Sequence, residues 1–342
     1  MNRPFQMVVL GWIVLALVSI ASLYVGAISI SPWDVADAFI FGNTSALSDT
    51  ERTILIELRL PRMITAVLVG ASLGVAGVGF QALFRNPLAD PFIIGASSGA
   101  ALGVTIAIVL GWQATLFGLR ATACAALLGS LFLVIVVLAI GAISKRSTSL
   151  SLLLAGVALS SMINAIVSLL MFWNEEKLIV IFAWLMGSLA SNDWPSIAST
   201  SFLTLVGLAA LWSLSRPLDA YLLGDTAAQS LGLNIVWFRI LLIAGASIST
   251  GAAVSAAGII GFVGLISPHM ARWIIGPRHI WLIPMSACFG ALILIVADAI
   301  SRTVAAPTEL PVGCITALLG CPFFLGLLLV RSRSSDLLGD IT

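Results

Sequence analysis

Nine stretches of this chain carry no charged side chain: residues 7–30, 63–83, 91–111, 121–144, 150–173, 196–214, 240–268, 280–297 and 310–330. Most have about the 20 residues that an α-helix needs to cross a hydrocarbon core of roughly 30 Å. No water reaches the backbone in that layer, so a chain of this kind must satisfy its peptide groups inside helices. Composition agrees, since 60% of the 342 residues are hydrophobic and 9% are charged, against about a quarter charged in an average soluble domain. The expected fold is all-α, a polytopic membrane protein forming one transmembrane domain over 1–342. The first run, 24 uncharged residues behind Arg3, is longer than the apolar core of a signal peptide and lacks a clear small-residue cleavage site, so it reads as a retained helix.

Two segments depart from the simple pattern. The run 240–268 is too long for one span; Gly251 and Gly258 interrupt it and Pro268 ends it, giving one full helix and one short or broken one. Segment 178–190 is too short to cross and reads as a helix lying at, or dipping into, one surface. The sum is about ten crossings with both termini on one side. Alternating the loops puts Arg3, Arg85, Lys145, Arg146, Arg216, Arg239, Arg272, Arg278, Arg331 and Arg333 on the terminal side, and Arg52, Arg59, Arg62, Arg120, Lys177 and Arg302 on the other. The positive-inside rule then makes both termini cytoplasmic. Within ELRLPRM, residues 57–63, Arg59 and Arg62 stand on the disfavoured outer side, which asks for a reason.

The spans are rich in small residues, as in VGASLGVAG (69–77) and GASSGAALG (95–103). Such residues let helix backbones approach closely where lipid supplies no hydrophobic drive. A glycine-rich helix running into a proline-marked break occurs twice, around 69–91 and 244–269. It reads as a weak inverted repeat of helices 2–5 and 7–10, a common transporter plan.

Several chemistries are missing. No G-x-x-x-x-G-K-[ST] loop is present, so the chain has no usual nucleotide cradle. His269 and His279 lack metal-ligand partners at suitable spacing, and the four cysteines fall in apolar runs and read as packing residues. No catalytic set or cofactor site can be assembled, and a net charge of +1 argues against a nucleic-acid partner. Ion-coupled carriers usually keep ionisable groups at mid-membrane, whereas these cores are bare apart from Asp298. Asp298 lies four residues before Arg302, the spacing of a helical ion pair. A transport protein built this way needs energy from outside itself.

RLPR (59–62), VLVGASLGVAGVGFQALFRNPLADPFIIGASSGAALG (67–103), LLLAGVAL (152–159), GFVGLISPHMARW (261–273), ADAISR (297–302) and ELPVGCITALLGCPFF (309–324) resemble, in order and spacing, the FecCD family. These are the permeases of binding-protein-dependent ABC importers for iron-siderophores, haem and cobalamin. The resemblance spans roughly 55–330. It implies a bacterial inner-membrane subunit that works as a dimer, with a cytoplasmic ATP-binding subunit and a periplasmic substrate-binding protein as partners.

It also implies roles for particular residues. Segment 216–234 corresponds to the family's ATPase-coupling element, with Leu222, Leu223, Gly224, Ala228, Leu231 and Gly232 as its candidate residues. From the sequence alone, Leu222, Leu223, Ala227 and Leu231 could form one face of an amphipathic insertion, with Gly224 and Gly232 as punctuation. By the same likeness Asn86 and Leu88, in the turn stiffened by Pro87 and Pro91, together with Thr148 and Ser149, form the cytoplasmic gate. Thr148 and Ser149 also suit a helix N-cap. The family's path runs along the dimer interface, where Asn164 and Ser168 are the polar candidates. Met162, Met171, Phe172 and Trp173 suit either a bulky ligand or membrane lipid. Arg59, Arg62 and Arg302 match the arginines that receive acidic residues of the binding protein; snorkelling, or pairing with Glu57 and Asp298, is the competing reading. Ferric siderophore ranks ahead of haem and cobalamin as cargo. The alternatives are a self-sufficient secondary carrier, which the bare cores disfavour, and a membrane enzyme, which the missing catalytic groups disfavour.

Overall fold

The computed structural model describes residues 3–26, 31, 33, 48–116, 119–143, 149–190 and 193–339. Its helices are α1 (Arg3–Tyr24), α2 (Asp49–Thr53), α3 (Leu60–Leu83), α4 (Ala96–Val109), α5 (Ala121–Ile143), α6 (Ser149–Trp173) and α7 (Leu178–Leu185). The second half holds α8 (Trp194–Ser213), α9 (Ser215–Tyr221), α10 (Asp225–Ser230), α11 (Ile235–Ala257), α12 (Val263–Ile275), α13 (His279–Thr303) and α14 (Val312–Gly339). The only strands among the described residues are β1 (Thr115–Leu116) and β2 (Leu119–Arg120), an antiparallel pair with Thr115 opposite Arg120. The expected all-α class stands.

Seven helices among the described residues are long and apolar enough to cross a membrane: α1, the continuous stretch through α2 and α3, α5, α6, α8, α11 and α13. A count of ten therefore also requires the short α4 and α12 and the apolar part of α14, Val312–Gly326, to cross.

Helix α3 sits at the centre, packed on α13, α11, α12 and α8. Its glycines explain the arrangement. A Cβ on Gly70 would strike the Gly290 carbonyl of α13, and one on Gly77 would strike the Gly264 carbonyl of α12. Backbones thus touch directly, the packing that small-residue faces permit in lipid. Pro268 gives the α12 contact a second cause. It lies inside α12 and does not end the preceding run as the sequence suggested. A proline there has no N–H for the carbonyl four residues earlier, and that carbonyl, Gly264 O, is the one seated on Gly77. Gly251 likewise sits within α11; the break falls at Gly258, whose φ of 72° favours glycine.

The two halves share a plan. Long, buried, glycine-rich α3 leads through a break at 84–95 to the 14-residue α4, and α11 leads through 258–262 to the 13-residue α12. Helices α3 and α11 run antiparallel: Gly79 meets Ala246, while Ala66, Val69 and Leu73 share a cluster with Ala253, Ala256 and Ala257. Opposed directions of the two leading helices are what an inverted repeat requires.

The 84–95 break is re-entrant. Pro91 packs on Gly264, which also lies against Leu73 and Gly77 of α3, and Leu73 is about 20 Å along α3 from its outer end at about 1.5 Å per residue. From the other side α7 descends so that Gly187 meets the carbonyls of Ala257 and Ile259. The dipping segment expected at 178–190 is this one.

Gly77→Ala should destabilise the fold by about 1–3 kcal/mol through backbone displacement, read as a lowered thermal midpoint in detergent. Gly326→Ala, where nothing lies within 4 Å of an added Cβ, should leave that midpoint unchanged or raised.

Candidate functional site

The outer end of α3 begins with a π-turn, Ile54–Arg59, in which Leu60 N–H donates to the Leu55 carbonyl. Pro61 supplies a local reason, because it lacks an N–H and its ring crowds the carbonyl four residues back, so the turn widens. Arg59 and Arg62 flank this point and face inward. Arg62 Nε meets Asp298 Oδ1 at 2.8 Å and its Nη1 meets Glu309 Oε2 at 2.7 Å. Arg302 Nε lies 3.1 Å from Asp298 Oδ2, so the expected helical pair is present. Arg302 also donates to the carbonyls of Val25 and Ser22, and Arg59 Nη1 donates to Leu23 O at 2.7 Å.

Arg59, Arg62 and Arg302 are only 7%, 8% and 9% exposed. They are nevertheless not sealed in. All three, with Glu309, Gly26, Ile54 and Ala190, line a pocket of about 370 Å³. The pocket brings together three cations and one partly exposed carboxylate, so its unbalanced charge is positive and suits an incoming carboxylate.

On the opposite face, segment 216–234 folds as the short helices α9 and α10. Leu222, Leu223 and Leu231 are exposed, at 44%, 70% and 68%. All three are apolar side chains left uncovered by the rest of the fold. Ala228, expected among the coupling residues, is fully buried against the core and is not part of that surface. Ala227 is half-buried. Gly224 and Gly232 have φ of 110° and 85° with open space around them, so they shape the turns.

The segment is tied down at two places that the sequence did not reveal. Asp219 of α9 binds His279 at the start of α13, Oδ1 to Nδ1 at 2.6 Å and to the backbone N–H at 3.1 Å. His279 is the first residue of α13; among the described residues no group of three or more His, Cys, Asp or Glu could hold a metal. The second tie joins Asp225 of α10 to Arg85 at 2.5 Å and to Arg239 at 2.8 Å. Arg85 also stacks 4.3 Å over the Tyr221 ring. These residues lie 14 to 140 positions apart, and in the sequence they read only as charges on the terminal side.

In the 84–95 loop, Asn86 Oδ1 accepts from Leu88 N–H at 3.0 Å and Asn86 O accepts from Ala89 N–H at 3.1 Å, making a compact turn. Thr148 lies outside the described residues. Ser149 is the first residue of α6, and its side chain lies outside them too. Asn164 and Ser168 face outward on α6, with the Ser168 hydroxyl donating to the Asn164 carbonyl at 2.9 Å. Leu154, Val157, Met162, Ile166, Leu169, Phe172 and Trp173 are exposed on the same helix, so α6 is apolar surface awaiting lipid or protein.

Buried helices packed through glycine, re-entrant breaks and polar knots at both ends define a multi-pass membrane transport protein. The chain belongs to the FecCD transport family, whose model matches residues 14–331. It is 38% identical to the hemin transport system permease protein HmuU of Yersinia pestis over 93% of both chains. It is 41% identical to the cobalamin import system permease protein BtuC of Halobacterium salinarum over 82% of this chain and 74% of that one. A solved metal-chelate type ABC transporter in an inward-facing conformation superposes with a TM-score of 0.83 at 32% identity, covering 95% of this chain and 99% of that one.

Asp298 holds two buried arginines. Asp298→Ala should therefore cost about 3–5 kcal/mol of stability, the price of uncompensated buried charge. Glu309 is 46% exposed, and Glu309→Gln should cost under about 1 kcal/mol. Thermal unfolding of the two purified variants checks the contrast.

Proposed function

We propose that this protein is the membrane-spanning permease subunit of an ATP-driven importer in a bacterial inner membrane. It moves a large metal-containing chelate inward, of the class of ferric siderophore, haem or cobalamin, with a ferric siderophore first. Family membership over 14–331, in a chain with no nucleotide-binding loop of its own, carries this reading. Relatives named for cobalamin, hemin and Fe(3+) dicitrate transport support the substrate class. The partners are a cytoplasmic ATP-binding subunit, a periplasmic substrate-binding protein and a second permease copy, with lipid around the assembly. Reconstitution with the ATPase and binding protein tests it: uptake of radiolabelled iron chelate, haem or cobalamin should require ATP. Uptake driven by a proton or sodium gradient without the ATPase would favour a secondary carrier.

The arginine pocket is the docking point for acidic side chains of the binding protein. Arginine keeps its charge at any relevant pH and its planar fork can grip a carboxylate through two hydrogen bonds. Asp298 holds the Arg62 and Arg302 guanidiniums in place, and two copies would form a symmetric cradle. Arg59 is the cleanest probe, because reversing Arg302 would set two carboxylates side by side. Arg59→Gln should weaken binding-protein docking by about 2 kcal/mol, roughly thirtyfold in Kd, with added salt shrinking the difference. Wild-type affinity in this variant would return the arginines to a structural or lipid-facing role.

The Leu222, Leu223 and Leu231 patch is the ATPase contact, and Asn86, Leu88, Thr148 and Ser149 form the gate it drives. The path follows α6, past Asn164 and Ser168, at the interface of two copies. Leu231→Glu should leave the permease folded but lower ATPase association about tenfold or more, since burying an unpaired carboxylate is costly. Gly224 is unsuitable as a test site, because its φ of 110° strains any replacement. Undiminished association and uptake in Leu231→Glu would remove the docking role.

A further inference from the structure

Helix α3 ends in a Schellman motif. Asn86 N–H donates to Gln81 O, and Arg85 N–H donates to Ala82 O. The position that must be left-handed is normally glycine, yet here it is Arg85, with φ of 49°. Backbone strain retained at one residue calls for a compensating use of its side chain. That side chain leaves α3 for the 216–234 segment. Its guanidinium donates to Tyr221 O at 2.8 Å and to Asp225 Oδ1 at 2.5 Å, and lies 4.3 Å over the Tyr221 ring. Arg239 of α11 grips the other Asp225 oxygen at 2.8 Å and donates to the Tyr221 hydroxyl at 3.1 Å.

Downstream of Arg85 the chain is stiff. Pro87 fixes a backbone angle, and the Asn86 turn locks Leu88 and Ala89. Asp90 then accepts backbone hydrogen bonds from Phe92 and from Phe262, the residue just before α12. Pro91 bears on Gly264 inside α12. Residues 85–91 therefore form a strut whose cytoplasmic end is held by α9 and α10 and whose deep end is held by the break before α12.

We propose that Arg85 is the joint through which movement of the 216–234 segment reaches the re-entrant loop and α12. It is a positioning residue for transport, acting through Asp225 and Tyr221, and it touches no substrate. The proposal rests on the reading that the 216–234 segment meets the ATPase. A flexible glycine at position 85 would cap α3 equally well and would cut the strut free.

The test uses the full permease reconstituted with its ATPase and binding protein, reading ATPase association, ATP hydrolysis and uptake of whichever of haem, cobalamin or ferric citrate the intact complex carries. Arg85→Gly relieves the backbone, so folding and ATPase association should match the parent. Uptake per ATP hydrolysed should fall about tenfold, within the usual range for coupling between sites. Asp225→Asn should produce the same uncoupling, and the double variant should be no worse than the poorer single one, because two residues of one linkage are not additive. Unchanged uptake per ATP in both single variants overturns the proposal. So do additive losses in the double variant, or loss of ATPase association in Arg85→Gly, which would make Arg85 a shaper of the docking surface. Leu231→Glu serves as the reference. If it still associates and transports normally, the docking reading fails; if it loses association while Arg85→Gly couples normally, only the Arg85 linkage fails.

Discussion

In a hydrocarbon layer, every backbone N–H and C=O that leaves a helix must find a partner within the protein. The breaks in this structure meet that constraint largely through one another. Ser188 N–H donates to Ala257 O, Val312 N–H to Gly187 O and Leu310 N–H to Ser301 O, while Asp90 takes the Phe262 amide. Irregular segments from distant parts of the sequence are thereby tied to one another and to the neighbouring helix ends. A change in one alters the hydrogen-bond partners of the next, which is how a transporter can be rigid in its helices and still have places that move.

The same economy governs charge. An isolated ion in a low-dielectric interior is expensive, and breaking a buried pair costs more than forming it gains. The structure answers by letting one carboxylate serve two arginines. Asp298 sits between Arg62 and Arg302, and Asp225 between Arg85 and Arg239. At the outer end Glu309 also pairs with Arg62, so the surplus positive charge there is that of Arg59, while at the inner end two arginines share the one Asp225. At the outer end that surplus faces a pocket, whereas at the inner end it is spent on the Tyr221 ring and carbonyl.

Much of the fold was legible in the sequence because lipid imposes simple rules. Charge-free runs of the right length located the long spans, and the glycine-rich stretches located the buried faces of α3 and α11. Pro268 misled because proline usually stops a helix, and only the packing of Gly264 on Gly77 shows why it is accepted here. The Asp298–Arg302 pair was readable from its i, i+4 spacing, a local feature. The Arg62–Asp298 and Arg85–Asp225 pairs were not, since each joins residues more than 130 positions apart. Pattern put Ala227 on the exposed face and resemblance named Ala228, which is fully buried; a six-residue helix has too few turns for periodicity to separate its inner side from its outer one. The roles of Arg59, Asn86 and Leu231 came from resemblance alone; the structure adds the pocket, the turn and the exposure on which those roles are argued.

Both knots attach to the same helix. Arg62 lies in the first turn of α3 and Arg85 just past its last, so an ion cluster pins each end of a rod of about 35 Å at about 1.5 Å per residue. Between them, glycines bring α3 against α12 and α13 with no flexible side chain interposed at the closest points. Close-packed interiors shift between discrete arrangements and do not deform smoothly. A rod fixed at both ends and in backbone contact along its length therefore moves as a body or stays put. That is the property required of an element standing between an outer arginine pocket and an inner leucine patch.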